Sequence, residues 1–153
     1  MIGIRKATLY DLPALVALGR IMHAEAPSYA HTEYNEGKVS GVLCPAITAG
    51  GVFVHINAAQ EIDGGFAGVI VERWFSTDRI GTDIALFVRP DRRGGLVAVH
   101  LIDAFIEWCE RQGIAARDVV IGVSTGVDAD ATGRLYERVG FERIGGIYRL
   151  RGY

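Results

Sequence analysis

Five residues between two regular patterns carry the clearest chemistry in the sequence. Arg89, Arg92, Arg93, Gly94 and Gly95 follow a strand-like run and precede a helical one. Glycine lets the main chain approach a ligand with no Cβ in the way, and arginine forks match the oxygens of a phosphate. At a helix start such a loop makes an anion cradle, because the unpaired N–H groups of the first turn and the helix dipole both favour negative charge. The phosphate-binding pattern GxxxxGK[ST] is absent, and so is the dinucleotide pattern GxGxxG. That leaves a pyrophosphate held by another kind of loop, or an ordinary strand-to-helix turn with two solvated arginines.

The flanking elements must position that loop. Ile84, Leu86 and Val88 alternate with Asp83, Ala85 and Phe87, a composition suited to a pleated surface. Pro90 ends the strand because it has no N–H to donate. From Val97 to Gln112 the period turns helical, with Val97, Leu101, Phe105 and Trp108 on one side and His100, Asp103, Glu107 and Glu110 on the other. Gly113 closes the helix. Upstream, Ile2 to Ala7 reads as an edge strand, and Thr8 with Asp11 caps a helix from about Leu9 to His23. Lys38 to Ala46 reads as a short helix, Val52 to Ala58 as a strand, Asp63-Gly64-Gly65 as a hairpin turn and Phe66 to Phe75 as the returning strand. Downstream, Val119 to Val123 suits a buried strand. Asp130 is placed to cap a helix from Ala131 to Val139, Gly140 stops it, and Phe141 to Leu150 offers one or two closing strands. The order β-α-α-β-β-β-α-β-α-β predicts a mixed sheet with helices on both faces.

The totals narrow the function classes. A chain of 153 residues fits one domain, spanning 1–153, with a real core. The net charge of −2 provides no basic field for nucleic acid, and the arginine cluster is short and lacks interleaved aromatics. No apolar run is long enough to cross a membrane, and Met1 leads straight into a strand-like run, so no signal peptide is expected. Cys44 and Cys109 both sit in apolar helical patterns, which reads as reduced thiols of a cytosolic protein, with a disulfide as the minor alternative. The histidines show no metal-ligand spacing, and no GxSxG elbow marks a serine hydrolase.

Three pieces in order give the sequence a resemblance to the GNAT superfamily of N-acetyltransferases. VRPDRRGGLVA is similar to the family's acetyl-coenzyme A loop, [RQ]xxGx[GA]; GRLYERVGF, Gly133 to Phe141, resembles its closing helix and following strand; IRKATLYDLPALVAL resembles its first strand and helix. The match looks closest to small phage- or prophage-associated members. The resemblance implies the GNAT fold, an α/β (α+β) domain whose mixed central sheet has roughly six to seven strands flanked by about four helices. Two departures stand out. Laid over the loop from Arg93, the motif puts Leu96 where the family has glycine and Ala98 at the permitted final position, so the displaced Gly94-Gly95 pair takes over the glycine's role one step early. The asparagine that often precedes the closing helix has no counterpart near Ala129 and Asp130.

Acetyl-coenzyme A is the cosubstrate the resemblance implies. Its pyrophosphate would rest on the amides from Arg93 through Gly94, Gly95, Leu96 and Val97 to Ala98, with Arg92 or Arg93 closing over it. Its pantetheine arm would run as an added strand along Phe87 and Val88, and the N–H of Val88 or its neighbour would meet the thioester oxygen. Tyr136 occupies the family's general-acid position, where a phenol protonates the departing sulfur; a core tyrosine with a satisfied hydroxyl fits the same pattern. The attacking amine must first lose a proton, since an alkyl ammonium has a pKa of roughly 10. Glu25, Glu72, Asp83 and Ser124 are all conceivable bases, and each is also an ordinary solvated or capping residue. By the same resemblance Glu25 to Glu36 roofs the acceptor pocket, where Glu25, Tyr29, Glu33 and Tyr34 could grip an amine.

The leading expectation is therefore an enzyme that transfers acetyl to a primary amine, on a small molecule or a protein, by direct attack. The alternative is a catalytically silent acyl-coenzyme A-binding or sensor module of the same fold. Dimers are common in the family, and the strand from Phe66 to Phe75 offers an interface for a homodimer.

Overall fold

The computed structural model describes residues 3–152, so Ile2 of the expected first strand lies outside the described residues. Five strands form one sheet in the order β1 (Ile4–Lys6), β2 (Val52–Ile56), β3 (Ile62–Glu72), β4 (Arg79–Val88) and β5 (Val119–Val120). The first four pair antiparallel and β5 joins β4 in parallel, which makes the sheet mixed. Four α-helices accompany it: α1 (Leu12–Glu25), α2 (Glu36–Ala49), α3 (Val97–Arg111) and α4 (Ala129–Val139).

Each sheet face buries its own helical stripe. Leu15, Leu43, Ala46 and Ile47 from α1 and α2 meet Val52, Val54 and Ala67 on one face. Leu101, Ile102, Phe105, Trp108 and Cys109 from α3 meet Phe53, Phe66 and Val88 on the other, and Tyr136 joins this second cluster. The outward residues of α3 anticipated from the helical period, Glu107 and Glu110, are exposed. Thr8 and Asp11 form the expected capping box ahead of α1. Asp11 also takes two hydrogen bonds from Arg5, which pull its pKa down to about 2.

Several boundaries differ from the sequence reading for identifiable reasons. Asp63, Gly64 and Gly65 belong to β3 and not to a hairpin turn. A Cβ on Gly64 would stand 3.0 Å from Val97 and one on Gly65 3.0 Å from Leu15, so both glycines are seats for helices packed on opposite faces. The turn lies earlier, at Asn57 to Glu61, where Gln60 adopts φ +63°. Helix α2 begins at Glu36, capped by Asn35, and runs through Pro45 to Ala49. Helix α4 is capped by Asp128, whose carboxylate accepts from the Ala131 N–H, and Asp130 falls within its first turn. The six to seven strands expected are five among the described residues: Phe141 to Leu150 forms no strand. β2 pairs with β3 only as far as Ala67, so Val69 to Glu72 of the anticipated interface strand pair with β4 alone.

Candidate active site

The site grows from a parting of two strands. β4 pairs with β5 only at Gly81–Val119 and Thr82–Val120. The Arg89 N–H donates back to Asp63 of β3, and antiparallel pairing alternates direction residue by residue. The N–H and C=O of Val88, and those of Leu86 two residues earlier, therefore face the opposite, unpaired edge. A register shift between β3 and β4 adds to the opening: Ala67 faces Ala85 while Gly68 faces Asp83, leaving Ile84 as an extra residue in a bulge. The gap between this edge, with its main-chain donors and acceptors, and residues 121–125 is the candidate cleft.

At one end of the cleft β4 runs into the basic loop. Leu96 stands at the N-cap of α3 and supplies no side-chain cap, so the first-turn amides, including those of Val97 and Ala98, look into the loop. Gly94 carries the positive φ that bends the chain there, +89°, while Leu96 has φ −98° and needs no glycine. A Cβ on either Gly94 or Gly95 would meet nothing within 4 Å, which leaves the backbone open to a ligand. These residues fit a diphosphate. Both arginines are engaged with carboxylates: Arg92 Nε lies 3.6 Å from Asp63 Oδ2, and Arg93 grips Glu25 with both terminal nitrogens, Nη2 at 2.6 Å from Oε2. Arg93 Nε also donates to the Val88 carbonyl at 3.0 Å, and its guanidinium lies over the Phe87 ring.

Further along the cleft Tyr136 and Asp83 are both tied to the Gly122 peptide. The Tyr136 hydroxyl donates to the Gly122 carbonyl at 3.0 Å, and the Gly122 N–H donates to Asp83 Oδ1 at 3.0 Å. Burial, with the Asp83 charge as a second cause, raises the Tyr136 pKa and keeps the phenol protonated. Burial likewise raises the Asp83 carboxyl. The roof segment reaches the same wall, where the Tyr29 hydroxyl and Ser124 Oγ lie 2.5 Å apart and the Ser28 N–H donates to the Thr125 carbonyl.

The remaining sequence candidates fall elsewhere. Tyr34 donates its hydroxyl to the Val16 carbonyl and lies under Arg20, clasping α1 to the roof. Glu72 pairs across from Arg79 at the end of β3 remote from Val88, which itself faces Gly64. Sequence reasoning did not find the Arg93–Glu25 and Tyr29–Ser124 contacts, because their partners are 68 and 95 residues apart. His55 of β2 holds the buried Asp63 carboxylate with Nδ1 at 2.5 Å. Among the described residues no cluster of three metal-ligating side chains occurs.

The model of the acetyltransferase (GNAT) family matches residues 20–141, and the chain belongs to that family. It is accordingly an N-acetyltransferase with acetyl-coenzyme A as cosubstrate. No curated protein matches its sequence. Among solved structures, a predicted acetyltransferase from Clostridium acetobutylicum bound to acetyl-CoA superposes with TM-score 0.73 at 17% identity, covering 99% of this chain and 96% of that one. The aminoglycoside N-acetyltransferase AAC(6′)-Iy in complex with CoA gives 0.75 at 17% identity, over 97% and 93%. An aminoglycoside acetyltransferase from an uncultured soil metagenomic sample, in complex with sisomicin, gives 0.69 at 18% identity, over 97% and 95%. At these identities the likeness is one of fold.

Proposed function

We propose that the chain acetylates a primary amine by direct attack, with Tyr136 as general acid and Asp83 as general base. One observation carries this reading: both side chains are tied to the same peptide, Gly122, beside the unpaired edge of β4. In direct attack the incoming nitrogen and the leaving sulfur share one carbon, so acid and base must stand close together. Of the four base candidates, Asp83 alone combines that position with a carboxyl raised by burial towards the operating range. Glu25 and Ser124 are held by Arg93 and Tyr29, and Glu72 is remote.

Acetyl-coenzyme A supplies an activated acyl carbon and a sulfur that needs a proton on departure. Val97, Ala98 and the Gly94-Gly95 backbone would hold its diphosphate. The open edge at Phe87 and Val88 would take the pantetheine arm, and the Leu86 or Val88 N–H would meet the thioester oxygen. Tyr136 holds a proton on its hydroxyl, and Asp83 receives one from the amine directly or through water. The aminoglycoside enzymes among the structural neighbours support a small-molecule amine as acceptor, with Tyr29, Ser124 and Glu25 lining its entrance.

The same reading favours a cytoplasmic homodimer. Cys44 and Cys109 are both free thiols, and among the described residues no helix is long and apolar enough to cross a membrane. Ile144, Ile147, Tyr148 and Leu150 all project into solvent after α4, an apolar set that a second copy would cover. Thiol release from acetyl-coenzyme A across a panel of amines tests the activity. A protein that binds coenzyme A and turns over no amine would overturn the reading.

A further inference from the structure

The Arg93 guanidinium stands where two other molecules are expected. Its Nε occupies the Val88 carbonyl on the open edge of β4, the edge assigned above to the pantetheine arm. Its terminal nitrogens hold the carboxylate of Glu25, the last residue of α1. The next residues of the chain form the roof, which is fastened to the far wall of the cleft through Ser28 and Tyr29. One side chain thus links the diphosphate loop, the thioester edge and the acceptor roof. The pairing is mutual: the hydrogen bonds from Arg93 lower the Glu25 pKa, and those to Glu25 raise that of Arg93.

Glu25 takes one N–H from each terminal nitrogen of Arg93 and the Val88 carbonyl takes the Nε–H, so of the five donors no complete fork is left for a diphosphate. Resting on the acetyl-transfer reading, we propose that Arg93 is an exchangeable clasp: it moves from Glu25 and Val88 to the donor's diphosphate and so uncovers Glu25 as an anchor for a cationic acceptor. The chemistry also defines that acceptor. The reacting nitrogen must be neutral, so a carboxylate at the roof serves a second ammonium group, and the acceptor is a molecule carrying more than one amine. No covalent step is involved, and the clasp couples the two sites because each ligand binds the state that the other also requires.

Isothermal titration of coenzyme A and of spermidine, used as the polyamine probe, tests this on the whole chain. Glu25→Gln removes the competing charge while preserving shape, and coenzyme A should bind it about threefold or more tightly than wild type. Weaker binding would mean that Glu25 orients Arg93 for the donor, and unchanged binding that the pair is incidental; either overturns the clasp. Spermidine should bind the wild-type complex with coenzyme A and not the free protein, and Glu25→Gln should abolish that binding. Arg93→Gln should weaken coenzyme A binding and let spermidine bind without it. Equal spermidine binding with and without coenzyme A, or none to the complex, removes the masking of Glu25. Failure of wild type to bind coenzyme A would instead strike at the acetyl-transfer reading itself.

Discussion

Tyr136 and Asp83 do not touch, yet they share one peptide group: the Gly122 carbonyl accepts from the Tyr136 hydroxyl, and the Gly122 N–H donates to the Asp83 carboxylate, each at 3.0 Å. α4 delivers the phenol and β4 the carboxylate, and the strand between them has just left its ladder at Val120. The parting of β4 from β5 therefore opens the cleft and also ties the phenol and the carboxylate to one peptide at its wall.

Replacing Tyr136 by Phe tests the acid. The ring stays in the core beside Phe141, and the loss of one hydrogen bond to Gly122 costs about 1 kcal/mol of stability. Turnover should fall by about a hundredfold or more, the usual contribution of a positioned proton donor. Coenzyme A affinity should hold, since the hydroxyl does not contribute to the diphosphate loop. Stopped-flow thiol release together with calorimetry separates the two effects, and a fully active Tyr136→Phe enzyme excludes the phenol as acid.

Asp83 carries a pH signature of definite sign. Burial raises its carboxyl above the ordinary value, so the folded protein holds that proton more tightly than the unfolded chain does. Its contribution to stability is present below the unfolded pKa of roughly 4 and is lost as pH rises through the folded pKa. Asp83→Asn keeps an oxygen for the Gly122 N–H and removes the titration. The variant's Tm should exceed that of wild type at neutral pH, and the gap should close as pH falls towards about 4. Its rate should fall, and the acidic limb of the wild-type rate profile should disappear. A variant that keeps that limb assigns the base elsewhere.

How much of this was legible in the sequence depended on whether the signal was local. The helical period of Leu101, Phe105 and Trp108 was legible because burial imposes it residue by residue. The alternation expected in β4 fails at Ile84, which sits exposed in the bulge, and at Phe87 and Val88, which are both buried. Gly64 and Gly65 misled, since a glycine that makes room for Val97 and Leu15 has the same letter as a glycine that turns the chain. Asp128 and Asp130 are equally good caps on composition, and only the backbone path chooses Asp128. The loop, the β4 edge and Tyr136 were named from the sequence. The long-range partners, Glu25 for Arg93, Ser124 for Tyr29 and Gly122 for Tyr136, arise from topology and leave no local trace.

Gly94 and Gly95 offer a contrast within two residues. Gly94→Ala places a Cβ on a backbone with φ +89°, a strain of about 1 kcal/mol that should lower Tm and distort the loop. Gly95→Ala meets open space without positive φ, so its Tm should match wild type. If a diphosphate lies against this backbone, both variants should lose coenzyme A affinity, and Gly95→Ala should do so with its fold intact. Unchanged affinity in Gly95→Ala would place the diphosphate away from that peptide.

The chain after α4 makes a prediction about assembly. Ile144, Ile147, Tyr148 and Leu150 are 72% to 94% exposed, although α4 itself is anchored by Tyr136. Apolar side chains exposed to this degree have a solvation cost that association relieves. Wild type should sediment as a dimer at micromolar concentration. The double substitution Ile144→Glu and Leu150→Glu should sediment as a monomer with an unchanged Tm for the remaining core, because neither side chain packs against it. Tyr136 lies one turn before this segment, and Phe141 contacts its ring, so dimer loss should also reduce turnover if a partner steadies that end of the cleft. A wild-type chain that sediments as a monomer would remove the dimer from the reading and leave the acid and base at Gly122 untouched.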